Sequence, residues 1–321
     1  MNILITGING FIGRHLAEYC LKKPNVKVYG TIFPKNFKKE KNDLKYLGAR
    51  TTLFECDLTD KNKINKVILK VRPDKIFHLA GQSRVSLSWK YPKDTLINNI
   101  TSDLNLFESV RDLKNKPVVV IAGSSEEYGL SFENELPLRE DNPLRPLSPY
   151  AVSKVTQEKL AFQYYMSYGL KIVMIRFFNT EGPRRSPEFV MSSFAKQIAL
   201  IEKGKQKPII KVGNLSAQRD FTDVRDVVRA YWLSSVKCKF GEPYNVCSGK
   251  KRSIKSILDL LISKSKIKNI IINEDLSIIR PSDIPVTVGS NEKFKKQTGW
   301  EPKIPFEKTM EDLLKYWREI V

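Results

Sequence analysis

Histidine is scarce in this chain: 321 residues carry only His15 and His78. A Ser/His/Asp triad therefore has few candidates, and a multi-histidine metal site has too few ligands. Cysteine is nearly as sparse. Cys20, Cys56, Cys238 and Cys247 lie far apart and form no CxxC pair, so they read as reduced thiols, and a redox sensor would lack a nearby resolving partner. No apolar run approaches the roughly 20 residues that span a bilayer. The opening MNILITG lacks the basic start and small-residue cleavage site of a signal peptide. The expectation is a soluble, cytoplasmic protein with no membrane partner and no metal.

Positive charge is in excess, with 55 Lys and Arg against 35 Asp and Glu and a formal net charge of +20. The lysines are scattered through stretches such as KNFKKEKNDLK and do not alternate with aromatic residues as a base-stacking surface would. They read as solvated loops and helix faces, so no nucleic-acid partner is expected.

The first half alternates β-rich runs with helix-like stretches. The strand candidates are NILIT, KVYGTI, TTLFECD, KIFHLAG, PVVVIAG and LKIVMIRFFN, and the helix candidates cover residues 10–22, 61–70, 95–113 and 150–168, with a polar loop after KVYGTI. Near-continuous apolar strands separated by helices predict an α/β, Rossmann-type doubly wound parallel sheet. This domain is expected over residues 1–178. After Asn179 the rhythm breaks into shorter, proline-punctuated units, which predicts a smaller C-terminal α/β substrate-binding region over 179–321, some segments returning to the first domain.

In TGINGFIG, Gly7, Gly10 and Gly13 follow the first strand and open a helix. A tight turn there lets the backbone approach a pyrophosphate, and the helix N-terminus supplies N–H donors and partial positive charge, the arrangement of a dinucleotide site. The TGxxGxxG spacing resembles the extended short-chain dehydrogenase/reductase superfamily. At the end of the second strand, YGTIFPKNFKK offers no acid for a ribose 2′-OH but does offer Lys35 and Lys38, which favours NADP(H) over NAD(H). Asp57 in FECDLTD matches the superfamily position that meets the adenine, or else caps the following helix.

SPYAVSK places Tyr150 and Lys154 at i, i+4 on one helix face. A free tyrosine is too weakly acidic to act as a base at neutral pH, and a nearby ammonium favours its phenolate. PVVVIAGSSEEYG sets Ser124, Ser125, Glu126 and Glu127 at the carboxyl end of a buried strand, where open α/β sheets bind ligands. A hydroxyl there can bond a reacting sugar oxygen, and a carboxylate can remove a carbon-bound proton.

These motifs, with HLAGQSRV, RFFNTEGPRRSPEFV, KVGNLSAQRDFTDVRDVVRAYW, YNVCSG, RPSDIP and TGWEPKIPFEKTMEDLLKYWRE, resemble the GDP-mannose 4,6-dehydratase and GDP-4-keto-6-deoxymannose reductase group over nearly the whole chain. The resemblance implies a catalytic set of Ser124, Glu126, Tyr150 and Lys154. It implies cofactor contacts from Gly7, Gly10, Phe11, Ile12, Gly13, Asp57, Leu58, Leu79, Ala80, Gln82, Asn99, Tyr150, Lys154 and Phe177. For a GDP-linked hexose or heptose it implies contacts from Ser83, Asn179, Arg185, Val190, Lys211, Arg219 and Arg280, with the choice between Arg184 and Arg185 left open. Ser193 stands where the dehydratases carry a lysine. Glu126 and GPRRS favour the dehydratase. A reductase making GDP-rhamnose needs only Tyr150, Lys154 and Ser124, and a non-catalytic dinucleotide-binding sensor would not need the Tyr/Lys pair. As in relatives, the helices over 95–113 and 150–168 are expected to form a homodimer or homotetramer interface.

Overall fold

The apolar runs of the first half become strands because both faces of each are covered. The computed structural model describes residues 1–275 and 284–321. β1 (Asn2–Thr6), β2 (Lys27–Ile32), β3 (Thr51–Glu55), β4 (Lys75–His78), β5 (Val118–Ser124) and β6 (Lys171–Phe177) lie near their predicted positions. Along β1 the two faces alternate: Ile3 and Ile5 join one buried cluster, Leu4 the other. The first cluster is closed by α1 (Phe11–Leu21) and α8 (Val224–Lys237), the second by α3 (Lys61–Val71), α5 (Pro92–Arg111) and α6 (Pro149–Tyr168).

Among the described residues the main sheet has seven strands, all parallel, completed by β10 (Pro243–Val246) in the order β10, β6, β5, β4, β1, β2, β3. The chain leaves β1 for β2 on one side, then returns to β4 on the other. That reversal opens a crevice at the carboxyl ends of β1 and β4, where doubly wound sheets take their ligands. A strand from residues 243–246 thus completes the N-terminal sheet.

The remaining chain builds on a third cluster. β7 (Asn179–Glu181), β9 (Gln218–Asp223), β11 (Lys251–Ser253) and β13 (Val286–Thr287) form a small sheet, and β8 (Ile209–Val212) pairs with β12 (Ile271–Glu274). α7 (Val190–Glu202), α9 (Ile254–Ser263) and α11 (Phe306–Ile320) bury Met191, Ile198, Ile257, Met310 and Trp317 together. α10 (Glu292–Thr298) returns to the first domain, placing Phe294 in the cluster that holds Val227 and Tyr231.

Two elements differ from expectation. The polar loop after β2 contains α2 (Phe37–Asp43), and α4 (Val85–Lys90) precedes α5. Both are short, below the length at which apolar periodicity is readable. Among the described residues no helix is long and apolar enough to cross a membrane.

Candidate active site

Gly7, directly after β1, has φ +66°, a conformation side chains rarely adopt. A Cβ on Gly13 would sit 2.5 Å from the Gly7 carbonyl oxygen and 2.8 Å from that of Ile8. The loop therefore folds back on the first turn of α1. Gly10 caps this helix with no side-chain bond, and Phe11 and Ile12 begin it. Its first N–H groups are free of any capping side chain and face the crevice, as anion binding requires.

The neighbouring loop is fixed from behind. Thr6 Oγ1 accepts the backbone N–H groups of Leu79 (3.1 Å) and Ala80 (3.2 Å). Asn99, buried in α5, accepts from Gln82 N and donates to Gln82 O and Ser153 Oγ. Asn99 therefore braces the loop after β4, its amide fully engaged by protein. Phe177 ends β6 against Tyr231, with ring centroids 4.4 Å apart. Leu58 is buried. Asp57 accepts from Thr59 N and Oγ1, while the cap of α3 is Asp60, accepting from Asn62 and Lys63; the reading of Asp57 as that cap is corrected. Beyond β2, Lys35 and Lys38 are exposed, and Arg14 holds Glu40 at 2.6 Å.

Ser124 ends β5 within a reciprocal cap. Its Oγ accepts from Glu126 N, and its own N–H donates to Glu127 Oε1 at 2.6 Å. Ser148 caps α6 by accepting from Ala151 N, and Pro149 starts the helix. That start brings Tyr150 beside Ser124. Burial raises the Tyr150 pKa, the Ser124 hydrogen bond opposes that, the Glu126 and Glu127 charges add to it, and Arg185 lowers it. Lys154 Nζ lies 5.9 Å from the Tyr150 ring centroid and donates to Ala122 O (2.7 Å) and Gln157 Oε1 (2.9 Å). Burial lowers its pKa, and Asp103 and Glu127 oppose that fall. The expected lowering of Tyr150 toward a phenolate is thus reversed by burial. Ser124, Glu126, Tyr150 and Lys154 nevertheless converge at the end of β5, beside the glycine loop.

The two acids after β5 part company. Glu127 is fully buried, bonded to Ser124 N and 3.8 Å from Arg176, which Glu158 also engages. Burial pushes Glu127 up to about 8. Glu126, half-buried, is the acid whose charge bears more strongly on Tyr150.

Arg184 and Arg185 separate as well. Arg184, at φ +72°, turns toward Glu18 (2.5 Å) and Tyr46, tying this loop to α1. Arg185 turns inward, its guanidinium 3.4 Å from the Phe189 ring centroid and 4.9 Å from that of Phe11. Its Nε is buried without a hydrogen-bond partner. Asn179 donates to Asp220 O, and Arg219 to Gln218 O and Pro285 O. Ser83, Val190 and Lys211 are exposed, and Arg280 lies outside the described residues. Ser193 Oγ accepts from Gln197, whose Nε2 also meets Lys211 O. Buried Glu181, whose charge acts on Arg185, lies within RFFNTEGPRRSPEFV but was given no role by the sequence reading.

A profile of the GDP-mannose 4,6 dehydratase family matches residues 4–313. The chain is 29% identical over 319 residues to a GDP-6-deoxy-D-mannose reductase of Pseudomonas aeruginosa, covering 99% of this chain and 98% of that one. It is 32% identical over 317 residues to GDP-mannose 4,6 dehydratase 2 of Arabidopsis thaliana, covering 95% and 83%. The RMD structure from Pseudomonas aeruginosa complexed with NADPH superposes with a TM-score of 0.85 at 29% identity, covering 100% and 99%; other solved neighbours of this fold hold NAD. With a match that runs almost from end to end, the chain belongs to the GDP-mannose 4,6-dehydratase family.

Proposed function

We propose that this enzyme is a nucleotide-sugar 4,6-dehydratase acting on a GDP-mannose-like hexose or heptose. The observation that carries the reading is the convergence of Glu126 with Ser124, Tyr150 and Lys154 at the carboxyl end of β5, since only a dehydratase needs the carboxylate. The glycine loop, which a Cβ at Gly13 would obstruct, and the uncapped start of α1 fit a dinucleotide pyrophosphate. Lys35 and Lys38 beyond β2 favour NADP(H). Arg185, with its buried open Nε, suits the sugar diphosphate. Asn179, Arg219, Lys211, Val190, Ser83 and Arg280 complete the proposed substrate set.

A bound nicotinamide supplies the hydride acceptor for C4 of the sugar and the donor for C6. Tyr150 takes the C4 hydroxyl proton, with Ser124 hydrogen-bonded to the same oxygen as charge develops on it. The resulting ketone acidifies C5–H. Glu126 removes that proton and passes it to the C6 hydroxyl, which leaves as water, and the proton held by Tyr150 is returned at C5 as C6 is reduced. Lys154 places its positive charge beside Tyr150 and so offsets the burial that opposes the phenolate. The enzyme is proposed to assemble as a homodimer or homotetramer through α5 and α6.

Incubation with GDP-mannose and catalytic NADP⁺, followed by mass spectrometry, should give a product lighter by one water without net cofactor consumption. Glu126→Gln should cut turnover by at least about 10²-fold, the lower range for a lost general base, while leaving nucleotide binding intact. The end-to-end similarity to the reductase favours one second reading. Stoichiometric NADPH oxidation on a 4-keto-6-deoxy sugar, with no dehydration of GDP-mannose, would establish it.

A further inference from the structure

Behind Lys154 a line of buried polar groups runs across the sheet to the loop after β4. Lys154 Nζ donates to Gln157 Oε1 (2.9 Å), and Gln157 Nε2 donates to Asp103 Oδ1 (2.7 Å). His78 Nε2 stands 2.7 Å from the same oxygen, and His78 Nδ1 lies 2.8 Å from Thr6 Oγ1. His78, Asp103, Gln157 and Thr6 are each at most 2% exposed.

The protons along this line are determined by chemistry. An ammonium only donates and a carboxylate only accepts, so the Gln157 amide can face just one way. Thr6 Oγ1 already accepts from Leu79 N and Ala80 N, so its hydrogen points to His78 Nδ1. That nitrogen is then bare, and Nε2 carries the hydrogen facing Asp103. The Nε2 contact is short but off the hydrogen-bonding direction, leaving Gln157 as the aligned donor to Asp103.

We propose that Asp103, acting through Gln157, is the buried counter-charge that positions Lys154 and keeps it protonated. Both are positioning residues, since neither touches the reacting atoms. The other titratable groups facing Lys154 are Glu127, from the turn after β5, and Tyr150 on its own helix; His78 of β4 lies behind Asp103. Glu127 is already engaged by Ser124 N and sits near Arg176, which leaves Asp103 as the anion linked to the ammonium by an unbroken chain. This inference gives the proposed enzyme a second layer beneath its Tyr/Lys pair and rests on that reading for its catalytic meaning.

The test follows the titration of Lys154 in the full-length protein through its ¹³Cε resonance, assigned by its absence from Lys154→Arg. Asp103→Asn keeps the shape of the site and removes the charge, and the midpoint should fall by about one pH unit or more. Gln157→Met breaks the link at constant volume and should shift it in the same direction. In Asp103→Asn/Gln157→Glu the charge moves one position along the line while every donor still meets an acceptor, and the midpoint should return. The alkaline limb of kcat/KM on GDP-mannose should follow the same order. A purely structural role would lower kcat at all pH values and leave the midpoint unmoved; an unmoved midpoint in both Asp103→Asn and Gln157→Met overturns the proposal. Shifted midpoints in a protein that turns over no GDP-sugar would keep the relay and reject the dehydratase.

Discussion

Arg185 and Glu181 bury opposite charges near one another, yet Arg185 Nε and Glu181 Oε2 each lack a hydrogen-bond partner. Burial pushes the Glu181 carboxyl up to about 7, and the Arg185 charge only partly opposes it. The folded chain therefore holds this proton more tightly than the unfolded chain. Its contribution to stability is fully present below the ordinary glutamate range and is lost as pH rises through about 7. The loss amounts to about 3 kcal/mol at most, taking 1.36 kcal/mol per pKa unit. Thermal melts between pH 5 and 8 should show wild type declining more steeply than Glu181→Gln, and parallel slopes would mean that Glu181 ionises normally. At this scale the sequence was legible where chemistry is local: Tyr150 and Lys154 one helical turn apart, Ser124 and Glu126 at one strand end. Arg184 and Arg185 could not be told apart, because a single positive φ at Arg184 sends the two side chains to opposite neighbours. The Gln157–Asp103–His78 line was hidden for a different reason, since it joins residues from three separated segments.

Elements were readable in proportion to their length and two-sided burial. Strands β1 to β6 and helices α1, α3, α5 and α6 lie near their predicted spans, whereas α2 and α4, at seven and six residues, carry too few turns to declare a periodicity. The turn from β1 into α1 makes a sharper claim, because two of its glycines face different constraints. Gly13→Ala would force a Cβ to 2.5 Å from the Gly7 carbonyl oxygen, so the helix or the loop must move. About 1–3 kcal/mol of stability should be lost, as for other overpacked sites, and dinucleotide affinity should fall more than tenfold. At Gly10 the nearest atom to an added Cβ is 3.2 Å away and φ is −69°. Gly10→Ala needs the Gly7 carbonyl to give by only a few tenths of an ångström, so it should lose less stability than Gly13→Ala, and its affinity should fall chiefly where the methyl meets the pyrophosphate. Fluorescence titration with NADPH alongside thermal melts separates the two effects. Wild-type affinity in Gly13→Ala would move the cofactor away from this loop.

For the whole molecule, the sequence led to the expectation that some later segments return to the first domain, but it did not say which ones. β10 completes the main sheet and Phe294 of α10 enters its core, because short apolar segments give no hint of which distant strand or helix they will meet. The proposed assembly rests on larger features. Asn99 meets Ser153, Asp103 meets Gln157 and Glu108 meets Tyr164, so contacts advance together along α5 and α6 and the two helices run parallel. Their outer sides carry Ile97 and Leu104 on one helix and Val152, Phe162 and Met166 on the other, all exposed, Met166 at 65%. Positions 97 and 104 are two turns apart, and 152, 162 and 166 also return to one face. Such an apolar stripe is costly to leave in water, and a second copy related by a twofold axis would cover it with its own α5 and α6. Each copy carries a formal charge of +20, so screening should help association, and the dimer should tighten as salt is raised. Light scattering on wild type is expected to give about twice the chain mass of 36.9 kDa, or four times for the tetramer. Phe162→Glu/Met166→Glu places two charges on this stripe and should reduce that mass to a single chain while leaving the far-UV circular dichroism unchanged. A monomeric wild type, or a double variant that keeps its dimer, would place the association surface elsewhere.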